Sequence, residues 1–566
     1  MVAYVVVGAA AAFALGYIFY GRFLSRRICP DDTCLTPACE INDGVDYVPA
    51  KPALLLGQHF SAIAAAGPIV GPIMACLWFG WLPALLWIVI GSIFVGGPHD
   101  YCSLVASLRN RAASIGEIVR RHMPERARVY FLIFVWLALI YVIIAFTDIT
   151  AHTFKTTMQG MDLGSAVAGS SILYLAEALL MGFLLYRAKM KLWLATIIFI
   201  PLTLVIVYIG PHLPIQVLNA LKSLSLKQWD LVLLGYCMIA SWIPVWLLLQ
   251  PRGYLGGWFL YLVILVGLGG ALFGGFRIEY PAVTLEGLRS SVNGKAVFPV
   301  LFITIACGAC SGFHGIVASG TTSKQIGKFR DSVIVGYGAM LLEGLVAVLA
   351  MATVMMLPRT AEILKTDPNM VYANGIAKYL GLVKIAYGVA LPFALLAFST
   401  FVYDTLDVCT RLARYILQEL LGWKSRQSSV PAALLSLTLP LAFLMLTKER
   451  GYLVAWPIFG TSNQLLASLI LLAISMWLVA SGRNPLYAVI PMAFMTVVTV
   501  WSLIDFAVPL VRSVPQLPSG TVPIDTIISG LVGIVLLVLS FALIWEAVRA
   551  LVGARLASRR SRVADR

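Results

Sequence analysis

The stretch "GQHFSAIAAAGPIVGP", Gly57 to Pro72, lies inside a long apolar run and departs from what such runs require. A helix that only crosses a bilayer has little use for two Gly-Pro steps, a His and a Gln. Proline removes a backbone donor and clashes with the preceding turn, and glycine weakens the helix further. Amides and carbonyls freed at mid-membrane cannot face lipid, so a break there needs protein or a water-filled cavity around it. In secondary transporters such breaks turn half-helix ends and bare carbonyls toward substrate and coupling ion. Gly67, Pro68 and Gly71 are therefore candidates for a substrate and ion cavity. Gln58 and His59 stand beside them as proton-carrying or supporting groups.

The chain around this stretch reads as membrane-embedded. Of its 566 residues, 60% are hydrophobic and 12% charged, roughly half the charged share of a soluble protein. Uncharged windows of about 20 residues recur, the length that crosses a bilayer. Length and flanking charge predict about fifteen spans: 2–21, 53–79, 82–108, 130–150, 171–187, 192–210, 231–250, 255–275, 297–320, 333–357, 384–410, 431–447, 460–481, 486–508 and 526–548. Met1 to Tyr20 lacks a basic leader, so it reads as a retained first span.

The formal charge of +15 argues for orientation rather than for nucleic acid. Arg22, Arg26, Arg27 and Lys51 flank the first loop, and Arg109 to Arg128 fill a later one. Lys324, Lys328 and Arg330 follow the ninth span, and Arg549 to Arg566 form the tail. With fifteen spans these clusters share one face, expected to be the cytoplasm. The N-terminus is then outside and the C-terminus inside. Arg359, Lys365, Lys378 and Lys384 form the exception, in an outer loop.

A second interrupted segment follows in the ninth span, "ACGACSGFHGIVASGTTSKQ", Ala306 to Gln325. Gly308, Ser311 and His314 join the cavity candidates. The second span runs inward to outward and the ninth runs back, with seven spans to each half. Opposed halves headed by broken helices are the pattern of an inverted repeat. The expected fold is an all-α polytopic membrane protein with an inverted-repeat transporter core. Its divisions are 1–52 (first span and cysteine loop), 53–296 (first half), 297–548 (second half) and 549–566 (basic tail). Kinks and close-packing faces are the alternative reading of the same residues.

Other polar groups sit in the apolar runs. His99 and Asp100 in "VGGPHDYCSL" could hold or relay a proton, though neighbours on a helix point about 100° apart and need not touch. Asp404 and Asp407 lie one turn apart, with Asp404 a coupling candidate and Arg411 the expected partner of Asp407. Glu177 and Glu343 are single acids in apolar surroundings. Asn463 and Gln464 in "WPIFGTSNQLLA" could satisfy an opened backbone, bind substrate or join helices.

"CPDDTCLTPAC" spaces Cys29, Cys34 and Cys39 like thiolate ligands of zinc or an iron–sulfur cluster. Such sites usually have four ligands, which Cys102 or Cys409 could complete; unlinked thiols are the alternative. Cys307 and Cys310, within a span, read as small residues packing closely. No P-loop, nucleophile elbow or H-E-x-x-H occurs, which speaks against an enzyme.

Five blocks, "DGVDYVPAKPALLLGQHFSAIAAAGPIVGP", "GSIFVGGPHDYCSL", "CGACSGFHGIVASGTTSKQI", "DTLDVCTRLARYILQEL" and "WPIFGTSNQLLA", resemble the carbon starvation protein A family over about residues 15 to 510. The resemblance implies a bacterial or archaeal inner-membrane transporter, importing peptides during carbon starvation or pyruvate with protons. It also implies kinship with the amino acid–polyamine–cation superfamily. That superfamily's repeat has five helices, so each half here is either a seven-helix repeat or five helices with two additions. The expected function is an H+- or Na+-coupled symporter for a small carboxylate or short peptide. The competing reading is redox or metal sensing through Cys29, Cys34 and Cys39.

Overall fold

The computed structural model describes residues 1–29, 34–43, 47–158, 161–244, 246–284, 296–423, 426–447, 452–515 and 524–564. Regular structure there is helical, apart from a two-residue antiparallel ladder pairing Thr157–Met158 with Met161–Asp162. In chain order the helices begin with α1 (Val2–Ile28), α2 (Pro52–Ile63), α3 (Gly67–Phe79) and α4 (Trp81–Arg109). Next come α5 (Glu125–Phe154), α6 (Gly164–Tyr186), α7 (Leu192–His212), α8 (Leu226–Trp242) and α9 (Leu249–Phe273). Then follow α10 (Val297–Thr304), α11 (Gly312–Gly320), α12 (Val333–Met355) and α13 (Pro368–Gly381). Last are α14 (Tyr387–Leu421), α15 (Ser429–Leu446), α16 (Tyr452–Ala480), α17 (Leu486–Ser513) and α18 (Ile524–Ala564).

Twelve described helices are long and apolar enough to cross a membrane, and the bent pair α2–α3 makes a thirteenth. Adding the 17-residue α8 and the broken pair α10–α11 recovers the fifteen predicted segments. Both fall short as continuous helices: α8 stops before Pro244, and seven residues separate α10 from α11. The charges of Arg359, Lys365, Lys378 and Lys384 predict an outer loop where the short α13 lies. It is buried instead, between α9, α12 and α14. Small residues permit this approach: a Cβ on Gly375 would fall 2.3 Å from the Thr353 side chain.

Burial sorts the helices into a core and a lipid-facing ring. The most apolar stretch of α14 is 94% buried, against 22% for α1 and 28% for α7 and α18. Helices of the first and second halves interleave, with α5 packed on α14 and α16 and α3 packed on α12. Three wide π-helical turns, Gly16–Gly21 in α1, Ser92–Gly96 in α4 and Val333–Gly338 in α12, meet around Tyr337. The Tyr337 hydroxyl donates to the Ile93 carbonyl at 2.9 Å. Such turns interrupt the regular ladder and recur beside functional sites; here two of them place His99, Asp100 and Glu343.

The basic clusters come together at one end of the bundle. Arg109 at the end of α4 stacks over Phe329 and reaches Cys29 beyond α1. Arg111 pairs with Glu40, and the backbone of Ala50 bridges to Ile326. At the opposite end the Val2 amide donates to the Phe276 carbonyl.

Candidate functional site

Both glycine-rich stretches are interrupted, and the interruptions cross each other inside the protein. Helix α2 ends at Ile63, α3 starts at Gly67, and the two axes differ by 47°. The break thus falls on Ala64–Ala66, ahead of the first Gly-Pro step. Pro68 opens α3, where a missing amide leaves no hydrogen bond broken. The second break runs from Ile305 to Ser311 and is fully buried. Gly71 faces this break closely enough that a Cβ would lie 2.4 Å from the Thr304 carbonyl oxygen. A Cβ on Gly67 would lie 2.4 Å from Cys307 Sγ, and one on Gly308 would lie 2.7 Å from Ala347 Cβ. Glycine is needed here so that two opened backbones can touch.

Side chains from α4 and α16 take up the polar groups of the second break. Gln464 donates to the carbonyls of Phe302 and Ile305, and the Trp87 indole donates to Ile305 at 3.3 Å. The Ser92 hydroxyl donates to the Gly308 carbonyl at 3.0 Å. Asn463 Oδ1 accepts the Phe313 amide at 3.0 Å, and its Nδ2 donates to Ser311 Oγ at 2.9 Å. The amide end of α11 is therefore held by Asn463 rather than left bare for an anion. Of the roles expected for Asn463 and Gln464, the structure shows satisfaction of the opened backbone.

Beside the crossing lies a buried histidine–carboxylate network. Asp100 accepts from His99 Nδ1 at 2.7 Å through one oxygen and from His314 Nδ1 at 2.8 Å through the other. His99 and Asp100 do touch, because the carboxylate folds back over the adjacent ring. On its far side, His314 Nε2 approaches Glu343 Oε2 at 3.1 Å. Cys307 Sγ joins them: the ligand atoms of Cys307, His314 and Glu343 all lie within 4.8 Å of one another. All five side chains are buried. His59, from α2, meets the Thr322 hydroxyl at 2.8 Å just past α11.

A second charge network stands on the other side of α2. Arg252 Nε donates to Asp404 Oδ1 at 2.6 Å, and its Nη1 pairs with Asp407. Tyr236 donates to Asp407 at 2.8 Å, and Ser61 donates to Asp404 at 3.1 Å. Arg252 is 0% exposed, and one guanidinium here faces two carboxylates. The expected pairing of Asp407 with Arg411 is corrected. Arg411 instead donates to the Ala240 and Ile243 carbonyls, because the end of α8 offers unbonded carbonyls within its reach. Residues 59 and 61 lie on opposite sides of α2, so this half-helix packs on α11 through one face and bonds to the Arg252 network through the other.

The remaining candidates are dispersed. Gln58 lines a small cleft of about 120 Å³ with Tyr186, Gln250 and Tyr254, apart from His59. Glu177 accepts from Thr203 at 2.8 Å. In the cysteine loop, Arg109 lies 3.2 Å from Cys29 Sγ and 4.0 Å from Cys34 Sγ, while Cys39 contacts the Gly327 carbonyl. Among the described residues these thiols form no converged group of three ligands; a guanidinium stands between two of them.

Sequence reasoning missed Arg252, Ser61 and Tyr236. Arg252 was legible: "LLLQPRGYLGG" carries an arginine between apolar runs, but placing a loop at 251–254 hid it. At the end of the bundle formed by α5 and α13, a cavity of about 560 Å³ is lined by His152, Lys155, Lys365 and Asp367, among others.

Known proteins match this chain along most of its length. The family model described as carbon starvation protein CstA matches residues 1–371 and 356–502. A Helicobacter pylori protein named peptide transporter CstA is 31% identical over 89% of this chain and 82% of its own length. The Bacillus subtilis protein of that name is 30% identical, covering 96% of both chains. An Escherichia coli protein named pyruvate/proton symporter BtsT is 27% identical over 88% of this chain and 81% of its own. Among solved structures, a mutant manganese transporter of Eremococcus coleocola aligns with TM-score 0.48 and 12% identity, over 90% of this chain and 99% of its own.

Proposed function

The chain belongs to the carbon starvation protein CstA family, and on that premise we propose that it is a secondary active transporter importing a small carboxylate-bearing nutrient, a short peptide or pyruvate, in symport with H+ or Na+. The observation that carries the reading is the crossing of α2–α3 with α10–α11 beside the buried Asp100 network. Two interrupted backbones held in contact give a pivot at which small rotations open one side and close the other. The amide end of α3, with its positive dipole, is the place for a substrate carboxylate. Since α11's amide end is held by Asn463, the substrate site is asymmetric between the halves.

Coupling is assigned to the two networks on either side of α2. Asp100 with His99 and His314 binds a proton at a carboxylate–imidazole pair. One Arg252 guanidinium faces both Asp404 and Asp407, an excess of one negative charge that a cation can balance, which is where Asp404 enters as a coupling group. The basic end of the bundle is the cytoplasmic one by charge, so the cavity near Lys155 and Lys365 is the outer mouth. The names of the relatives support peptide or pyruvate as substrates.

Purified protein in proteoliposomes, loaded with labelled pyruvate or dipeptides under imposed pH or Na+ gradients, tests this. Gradient-driven accumulation of one of them is expected. Accumulation of neither under any gradient overturns the assigned substrate class.

A further inference from the structure

The transport reading leaves three buried atoms unexplained. His314 Nε2 and both oxygens of Glu343 have no hydrogen-bond partner, although His314 and Glu343 are fully buried. An unsatisfied carboxylate away from water is costly, so a native arrangement of this kind calls for an explanation. The Nε2 and Oε2 atoms stand 3.1 Å apart yet make no N–H···O bond. Cys307 Sγ lies beside this pair, the three ligand atoms all within 4.8 Å of one another.

We propose that this cluster binds a borderline-soft divalent cation of the zinc class, held by Cys307 Sγ, His314 Nε2 and a Glu343 oxygen. Three features of the site support it. Donors about 2.0–2.3 Å from one tetrahedral ion stand ~3–4 Å from each other; these three already lie within 4.8 Å of one another, so a small contraction closes the set. The ligand types form a thiolate, an imidazole and a carboxylate, a mixture that suits zinc and not the hard cations Mg2+ or Ca2+. Finally, the imidazole is oriented as a metal ligand. Its other nitrogen donates to Asp100 at 2.8 Å, fixing the tautomer that leaves Nε2 free as a donor to the ion.

The ion also answers the charge balance. Binding displaces the Cys307 thiol proton to solvent, and the dication then offsets thiolate and Glu343 carboxylate together. Three protein ligands leave one position of a tetrahedral ion open. The loop cysteines have no part in this site, and the inference stands independently of whether the substrate is a peptide or pyruvate.

Chelator-stripped full-length protein, titrated with Co2+ as a spectroscopic stand-in, tests the assignment. One equivalent is expected to develop thiolate-to-cobalt charge-transfer absorption, which one equivalent of Zn2+ abolishes. The band is expected to persist in the triple variant Cys29→Ser, Cys34→Ser, Cys39→Ser, and to vanish in Cys307→Ser. Asp100→Asn, which keeps all three ligands, is expected to retain the band with affinity weakened ~10–100-fold. Three results overturn the proposal: no band in the unmodified protein, a band that survives Cys307→Ser, or one lost in the folded loop variant. Should Cys307→Ser fail to fold, Glu343→Gln replaces it, and unchanged Co2+ affinity there sinks the proposal equally.

Discussion

Arg252 donates to Asp404 at 2.6 Å although 152 residues separate them, and both side chains are buried. The contact joins α9 to α14, and Ser61 extends it to α2, the half-helix that also carries His59. A first-half arginine, a second-half carboxylate and a broken helix are thus locked into one unit. Removing one partner of such a buried pair is costly chiefly because the other charge is left unpaired.

Arg252→Met is therefore expected to destabilise the protein by ~3–5 kcal/mol, read as a large drop in the thermal unfolding midpoint in detergent. Adding Asp404→Asn and Asp407→Asn to that variant should recover part of the loss, as neutral amides remove the stranded charges. Stability equal to the parent protein in Arg252→Met alone contradicts a buried three-way ion pair.

Gly71→Ala pushes a methyl against a backbone oxygen 2.4 Å away, and the backbone cannot turn aside. Overpacking of this kind costs ~1–3 kcal/mol, and uptake should fall with it as the broken helices are forced apart. Gly67→Ala meets Cys307 Sγ at 2.4 Å and its Cβ at 2.5 Å; rotation moves the sulfur but not the Cβ, so a comparable loss is expected. Gly320→Ala has nothing within 4 Å and should stay within ~0.5 kcal/mol of the parent. Losses at Gly71 and Gly67 with none at Gly320, measured by thermal unfolding and initial uptake rate, are the check.

Asn463→Ala strands the Phe313 amide and the Ser311 hydroxyl in a dry break. A loss of ~1–3 kcal/mol is expected. Asn463→Asp keeps the acceptor facing the Phe313 amide and should lose less. An Asp variant worse than Ala would show that the amide group serves substrate rather than backbone.

At the cavity mouth, Lys155 and Lys365 present positive charge around about 560 Å³ of open space. Reversing either to Glu should raise the KM for an anionic substrate several-fold with little change in maximal uptake rate. Because salt screens exposed charges over ~8–10 Å at physiological strength, the difference should shrink as ionic strength rises. An effect indifferent to salt would place the lysines in contact with bound substrate.

Much of this architecture was legible in the sequence for local reasons. A run such as Leu226 to Phe273 reads as membrane-spanning because its apolar stretches are long and nearly uncharged. The Gly-Pro steps of Gly57 to Pro72 and the glycines of Ala306 to Gln325 advertised breaks because their backbone cost is intrinsic. Even so, the first break fell three residues ahead of Gly67-Pro68. Proline is tolerated at a helix start, and the weak point became the Ala64–Ala66 segment instead. The helix α13 was hidden by its charged flanks, since Lys365 and Lys378 read as a solvent loop.

Composition and local backbone chemistry alone determined that the chain is a bundle of membrane spans interrupted twice. Which side chains meet was decided only by the packing. Arg252 met two aspartates of a distant helix, Asp407 declined Arg411 one turn away, and Cys307 came to lie near His314 and Glu343. Burial makes each unpaired polar atom expensive, so partners are selected by three-dimensional proximity in the folded core. Spacing along the chain, which reports only the face of a single helix, carries no record of that choice.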